Sequence, residues 1–108
     1  MDGQAIGDPL DAVLLGAPLG ERATLVHFST AFCRPCVATR HTLAEVAGMV
    51  EGVTHVEIDA EAHLALVRAL RVSRTPTVLV LDASGRVVRR ASGPPRKADV
   101  FAALAQAM

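Results

Sequence analysis

The sequence has no tryptophan and no tyrosine, and only three phenylalanines among its 108 residues. A core built on large aromatics is therefore excluded. The interior must be assembled from Val, Leu, Ile and Ala, with the Phe side chains as its largest pieces. Cysteine is equally scarce: Cys33 and Cys36 are too few and too close together for a disulfide-stapled secreted scaffold, which spreads several pairs along the chain. No window holds the roughly 18 apolar residues that a membrane span needs. The acidic start (Asp2, Asp8, Asp11) lacks the basic flank of a signal peptide. The expectation is a soluble, cytoplasmic chain, with the soluble domain of an anchored or exported protein as the alternative. An excess of one charge is missing too: 11 Lys and Arg balance 11 Asp and Glu, which points to no nucleic-acid or membrane-surface partner.

The charges are nonetheless segregated. Up to Glu61 there are nine acidic and three basic residues; from Ala62 onward there are two acidic and eight basic. Either the two halves meet as an ordinary solvated surface, or the second half forms a basic docking patch. The apolar share of 51% argues against disorder, and the length suits a single domain over residues 1–108.

Asp8-Pro9-Leu10 reads as the start of a short helix through Val13, Leu14 and Leu15, closed by Gly16 and Gly20. Thr24–Ser29 is apolar and β-branched without clean alternation, as in a strand covered on both faces. After Cys33-Arg34-Pro35-Cys36 comes a helix, with Pro35 in the first turn, where its missing N–H is not required. Leu43, Val46, Ala47 and Val50 mark its apolar face, and Gly48 with Gly52 marks its end. Val53–Asp59 is a second strand, Leu64, Val67 and Leu70 a short helical face, and Thr77–Leu81 a third strand. The Asp82–Gly85 turn leads into Arg86–Arg90, a hairpin partner with the character of a sheet edge. Val100, Phe101, Leu104 and Met108 form the stripe of a last helix. The order β-α-β-α-β-β-α implies an α/β fold: a mixed central sheet of four to five strands with helices on both faces.

A Cys-x-x-Cys pair between a strand and a helix carries chemistry. Free N–H groups and the helix dipole favour an anion at the first cysteine, lowering a thiol pKa from about 8.5 into the range of roughly 3.5–7.5. Cys33 is thus the expected nucleophile and Cys36, one turn on, the resolving thiol. Three other readings compete. A structural disulfide closing so short a loop contributes only roughly 2 kcal/mol. Structural zinc wants four ligands, and His27, His41, His55 and His63 lack finger-like spacing, so no metal is expected. Two unreactive core thiols are the third.

On these residues the chain resembles the thioredoxin family over nearly its whole length. Leu25–Cys36 resembles the family's strand and Cys-x-Pro-Cys helix start. Arg74-Thr75-Pro76-Thr77, about forty residues on, resembles its cis-proline loop, and Gly93 matches a glycine beside the substrate groove. The resemblance implies a thioredoxin fold, a cis Thr75–Pro76 bond, and a groove lined by Phe32, Arg34, Pro35, Thr75, Pro76 and Gly93, with the Thr75 backbone bonding an extended substrate. It also implies a monomeric protein-disulfide reductase acting on protein disulfides. Such a protein needs no prosthetic group and is recharged by a flavin-dependent thioredoxin reductase or another thiol donor.

The departures are specific. Phe32 and Ser29 stand where the family has tryptophans, and Arg34 replaces a glycine. His27 stands at the family's buried Asp and His55 at its nearby Lys. A buried neutral imidazole can accept a proton, so His27 is a candidate acceptor for Cys36; the alternative is a core histidine satisfied by a backbone carbonyl. Arg34 and Arg74 are expected to flank the cysteines and favour the Cys33 thiolate. Two rivals remain: a cytochrome-maturation-type extracytoplasmic reductase, and a redox-inert peptide-binding module built around Pro76.

Overall fold

The computed structural model describes residues 9–108. Its frame is a four-stranded sheet in the order β2-β1-β3-β4, made by β1 (Ala23–Ser29), β2 (Val53–Asp59), β3 (Thr77–Asp82) and β4 (Val87–Ser92). β1 runs parallel to β2 and antiparallel to β3, and β4 is antiparallel to β3. The sheet is therefore mixed, as the element order predicts.

All seven residues of β1 are buried, because the strand is central and helices cover both of its faces. Alternation sends Val26 and Phe28 to one face, where they pack with Ile58, Leu70, Leu79 and Leu81 under α1 (Ala12–Leu15) and α3 (Leu64–Ala69). Ala23 and Leu25 point to the other face, against Leu43 and Val46 of α2 (Arg34–Met49) and Val100 and Leu104 of α4 (Lys97–Ala107). Lys97 reaches Glu45 at 3.0 Å and ties α4 to α2.

Several element boundaries differ from expectation. α1 is capped by the Asp11 carboxylate, which accepts from the Leu14 N–H, and begins at Ala12; Asp8 lies outside the described residues. Pro9 and Leu10 precede it because the Leu10 N–H is engaged by the Gly85 carbonyl at 2.9 Å. Gly16 ends α1 with φ 73°, as expected, whereas Gly20 lies beyond the helix. α2 runs through Gly48. β4 starts one residue late and extends to Ser92, because Arg86 N–H is held by the Asp82 carboxylate in the turn and Ser92 pairs with Thr77. Of the three phenylalanines only Phe28 is fully buried; Phe32 is wholly exposed and Phe101 half-buried. Met108 lies past the end of α4 and is exposed.

Candidate active site

Cys33 and Cys36 meet where β1 hands over to α2. Cys33 is the N-cap residue with extended backbone, and Pro35 occupies the first turn, where no N–H is wanted. The two sulfurs are joined as a disulfide, with Cα atoms 5.2 Å apart. Cys33 is half-buried, while Cys36 points inward with no exposed surface. Of the pair, Cys33 alone keeps part of its surface open to solvent.

Two further segments converge on this point. The Thr75–Pro76 bond is cis, as the resemblance implies. Thr30 Oγ1, just ahead of the cysteines, lies 3.4 Å from Thr75 Oγ1, joining the two loops. Gly93 N–H donates to the Pro76 carbonyl at 2.8 Å, which brings the end of β4 to the same place. Gly93 has φ 90°, a conformation favouring glycine. Arg74 Nη2 lies 3.8 Å from where its Cβ would stand. Phe32, Arg34 and Pro35 are exposed, Thr75 is half-buried and Pro76 buried.

Below the disulfide, on the α2 face of the sheet, lies a polar cluster. His27 is fully buried, with His55 stacked beside it at 6.1 Å between ring centroids. Neither His27 ring nitrogen has a hydrogen-bond partner among the described residues, and the same holds for Thr39 Oγ1 and His55 Nε2. Among the described residues, then, no backbone carbonyl satisfies the His27 ring. Loss of solvation drives the His27 pKa from 6.5 to about 4; Glu57 opposes the fall, and His55 and Arg40 add to it. Burial likewise lowers His55. Burial thus favours the neutral form of both rings.

The cluster's charge sits at its rim, and sequence reasoning missed it. Glu57, the register partner of His27, receives two bonds from Arg40, at 2.6 and 2.7 Å, and one from Ser29 Oγ at 2.7 Å. The Arg40 bonds are the main reason the Glu57 pKa falls to about 2; desolvation opposes them, and the Ser29 bond adds to the fall. A signal was available: Glu57 is two residues after His55 on a strand, and Arg40 four after Cys36 on a helix, so each shares a face with a residue already singled out. His41 and His63 are exposed and take no part.

Among the described residues no group of three His, Cys, Asp or Glu is placed to hold a metal ion, and no helix is long and apolar enough to cross a membrane. A groove of about 630 Å³ between α1 and α3, lined by Leu10, Leu14, Leu64 and Leu70, includes no residue of the disulfide site.

The model of the thioredoxin-like domain family matches residues 16–108. The chain belongs to that family. Among solved structures, chloroplastic thioredoxin z is 25% identical with a TM-score of 0.71, over 80% of this chain and 78% of that one. A mutant thioredoxin of Halobacterium salinarum is 19% identical, with a TM-score of 0.73 over 82% and 77%. Fasciola hepatica thioredoxin is also 19% identical, with a TM-score of 0.71 over 82% and 84%. A comparison with curated proteins finds no match. The fold is the thioredoxin fold, and the Cys-x-x-Cys pair gives this member of the family the sulfur chemistry of a thiol–disulfide oxidoreductase.

Proposed function

We propose that the chain is a protein-disulfide reductase working through a Cys33–Cys36 dithiol–disulfide cycle. The observation that carries this reading is the asymmetry of the pair: a partly exposed Cys33 at the N-cap of α2, a fully buried Cys36, and a cis-proline loop opposite. In the reduced protein the Cys33 thiolate attacks a substrate disulfide, forming a mixed disulfide and releasing one substrate thiolate. Cys36 then attacks the Cys33 sulfur, releasing the second substrate thiol and leaving the Cys33–Cys36 disulfide. Two electrons pass to the substrate. No prosthetic group is needed, since the sulfurs hold the electrons; a flavin-dependent thioredoxin reductase or another thiol donor restores the dithiol, which suits the reducing cytoplasm.

In this reading Phe32, Arg34, Pro35, Thr75, Pro76 and Gly93 form the substrate groove, with the Thr75 backbone pairing to an extended peptide. His27 receives the Cys36 proton during resolution. Burial favours its neutral form, its nitrogens are not engaged by the described residues, and the Glu57 carboxylate favours the transient imidazolium. His27→Ala should therefore slow resolution by tenfold or more and change its pH profile; an unchanged profile removes the proton-transfer role.

Dithiothreitol-driven reduction of insulin tests the whole proposal. Turnover that disappears in Cys33→Ser supports it. Absence of turnover in the native protein would instead support a peptide-binding module without redox activity.

A further inference from the structure

Two exposed arginines, one from each half of the chain, stand on the segments that meet at the disulfide. Arg34 follows Cys33 at the start of α2, and Arg74 precedes Thr75 with its guanidinium extended toward Gly93. Both are exposed, and among the described residues neither pairs with a carboxylate. They stand on two of the three segments that converge on the disulfide. Behind Arg74, the Arg90 guanidinium of β4 reaches across to the Leu70 and Arg71 carbonyls, both at 2.5 Å. That draws the β4 cation to the loop carrying Arg71 and Arg74. The carboxylates at the β2 edge are engaged: Glu57 is held by Arg40 and Ser29, and Asp59, the last residue of β2, accepts from the Glu61 N–H. Asp99, at the start of α4, is paired with Arg96.

Resting on the reductase reading, we infer that the preferred substrates are protein disulfides flanked by acidic residues, selected by Arg34 and Arg74 on the two sides of Cys33. In this reading an extended segment meets Arg34 on the α2 side of Cys33 and Arg74 on the cis-proline side. Opposite charges at such a rim act mainly through encounter: they raise the association rate, weaken with salt and repel the wrong partner. Each exposed pair is worth only a few-fold. Two together give a preference of about tenfold, enough to rank substrates without trapping products. The chemistry is the exchange already described, with a dithiol reductant returning the two electrons that each substrate disulfide takes.

The test uses three peptides of equal length with one internal disulfide each, flanked by Glu, Gln or Lys, and dithiothreitol as electron donor. The native protein should show a kcat/KM about tenfold higher for the Glu peptide than for the Lys peptide at low ionic strength, converging as salt is added. Arg34→Glu combined with Arg74→Glu should invert the order, and Arg34→Lys with Arg74→Lys should keep it. The readout is a ratio within one protein, so a general loss of activity does not imitate it. Equal rates for all three peptides, or an order unchanged by the double glutamate substitution, overturn the inference and leave the reductase reading standing. Failure of the native protein to reduce any peptide overturns both.

Discussion

Replacing His27 by leucine removes two buried ring nitrogens that have no partner among the described residues and fills most of the same space. A buried polar group left without a hydrogen bond costs about 1–3 kcal/mol, so His27→Leu should raise the unfolding free energy in urea by an amount in that range. A loss of stability instead would mean that the ring is satisfied in solution. The same residue sets a pH limb. Its imidazole titrates at 6.5 when unperturbed and near 4 in the native fold, so between those values the unfolded chain holds a proton that the native chain does not. Stability therefore falls as pH is lowered through that window, and His55 adds in the same direction. Glu57, lowered from 4.5 to about 2, contributes stability above the upper value that is lost as pH falls toward the lower one. Melting temperatures followed from pH 7.5 to pH 3 should show both limbs, with His27→Leu flattening the upper and Glu57→Gln the lower. A profile in which either substitution leaves its limb intact assigns that limb to other groups.

Among the elements, Gly85 is the position where backbone geometry is most demanding. It has φ 90°, and a Cβ there would run into the Leu10 carbonyl. Gly85→Ala should cost at least about 1–2 kcal/mol from the left-handed backbone alone, and should weaken the bond from Leu10 N–H to the Gly85 carbonyl. Faster amide exchange at Leu10 than in the parent would report the second effect; equal protection would show that the turn absorbs the methyl elsewhere. The same contact explains what could be read from sequence. β2 was legible to the residue and β3 to within one, because alternation and uninterrupted apolar runs are local signals. The start of α1 and the end of β4 depend on Leu10 meeting Gly85 and Ser92 meeting Thr77, contacts between segments far apart in the chain. At the site, Cys33 and Cys36 announce themselves as a motif, whereas Pro76 alone reads as an ordinary strand-start proline and stands out only through the family resemblance. The Arg40–Glu57 pair spans 17 positions and exists only because α2 lies over β2.

For the molecule as a whole, the disulfide is a small term set against two apolar clusters, one on each face of the sheet. Closing a loop with a sequence separation of 3 contributes roughly 2 kcal/mol, so reduction should lower the urea midpoint while leaving the far-ultraviolet spectrum unchanged. Collapse of the fold on reduction would make the bridge a staple and remove the reason to call it a working part. Equilibration with glutathione should place the couple close to roughly −270 mV for a reductant; a value near −120 mV would reverse the direction of electron flow.

Phe32, next to Cys33, stands wholly exposed on a molecule with no indole or phenol anywhere in its sequence. The protein is therefore optically silent where tryptophan emits. Any glow from a mixture with a Trp-bearing ligand belongs to the ligand alone, so docking beside the sulfur pair can be followed without labelling either partner.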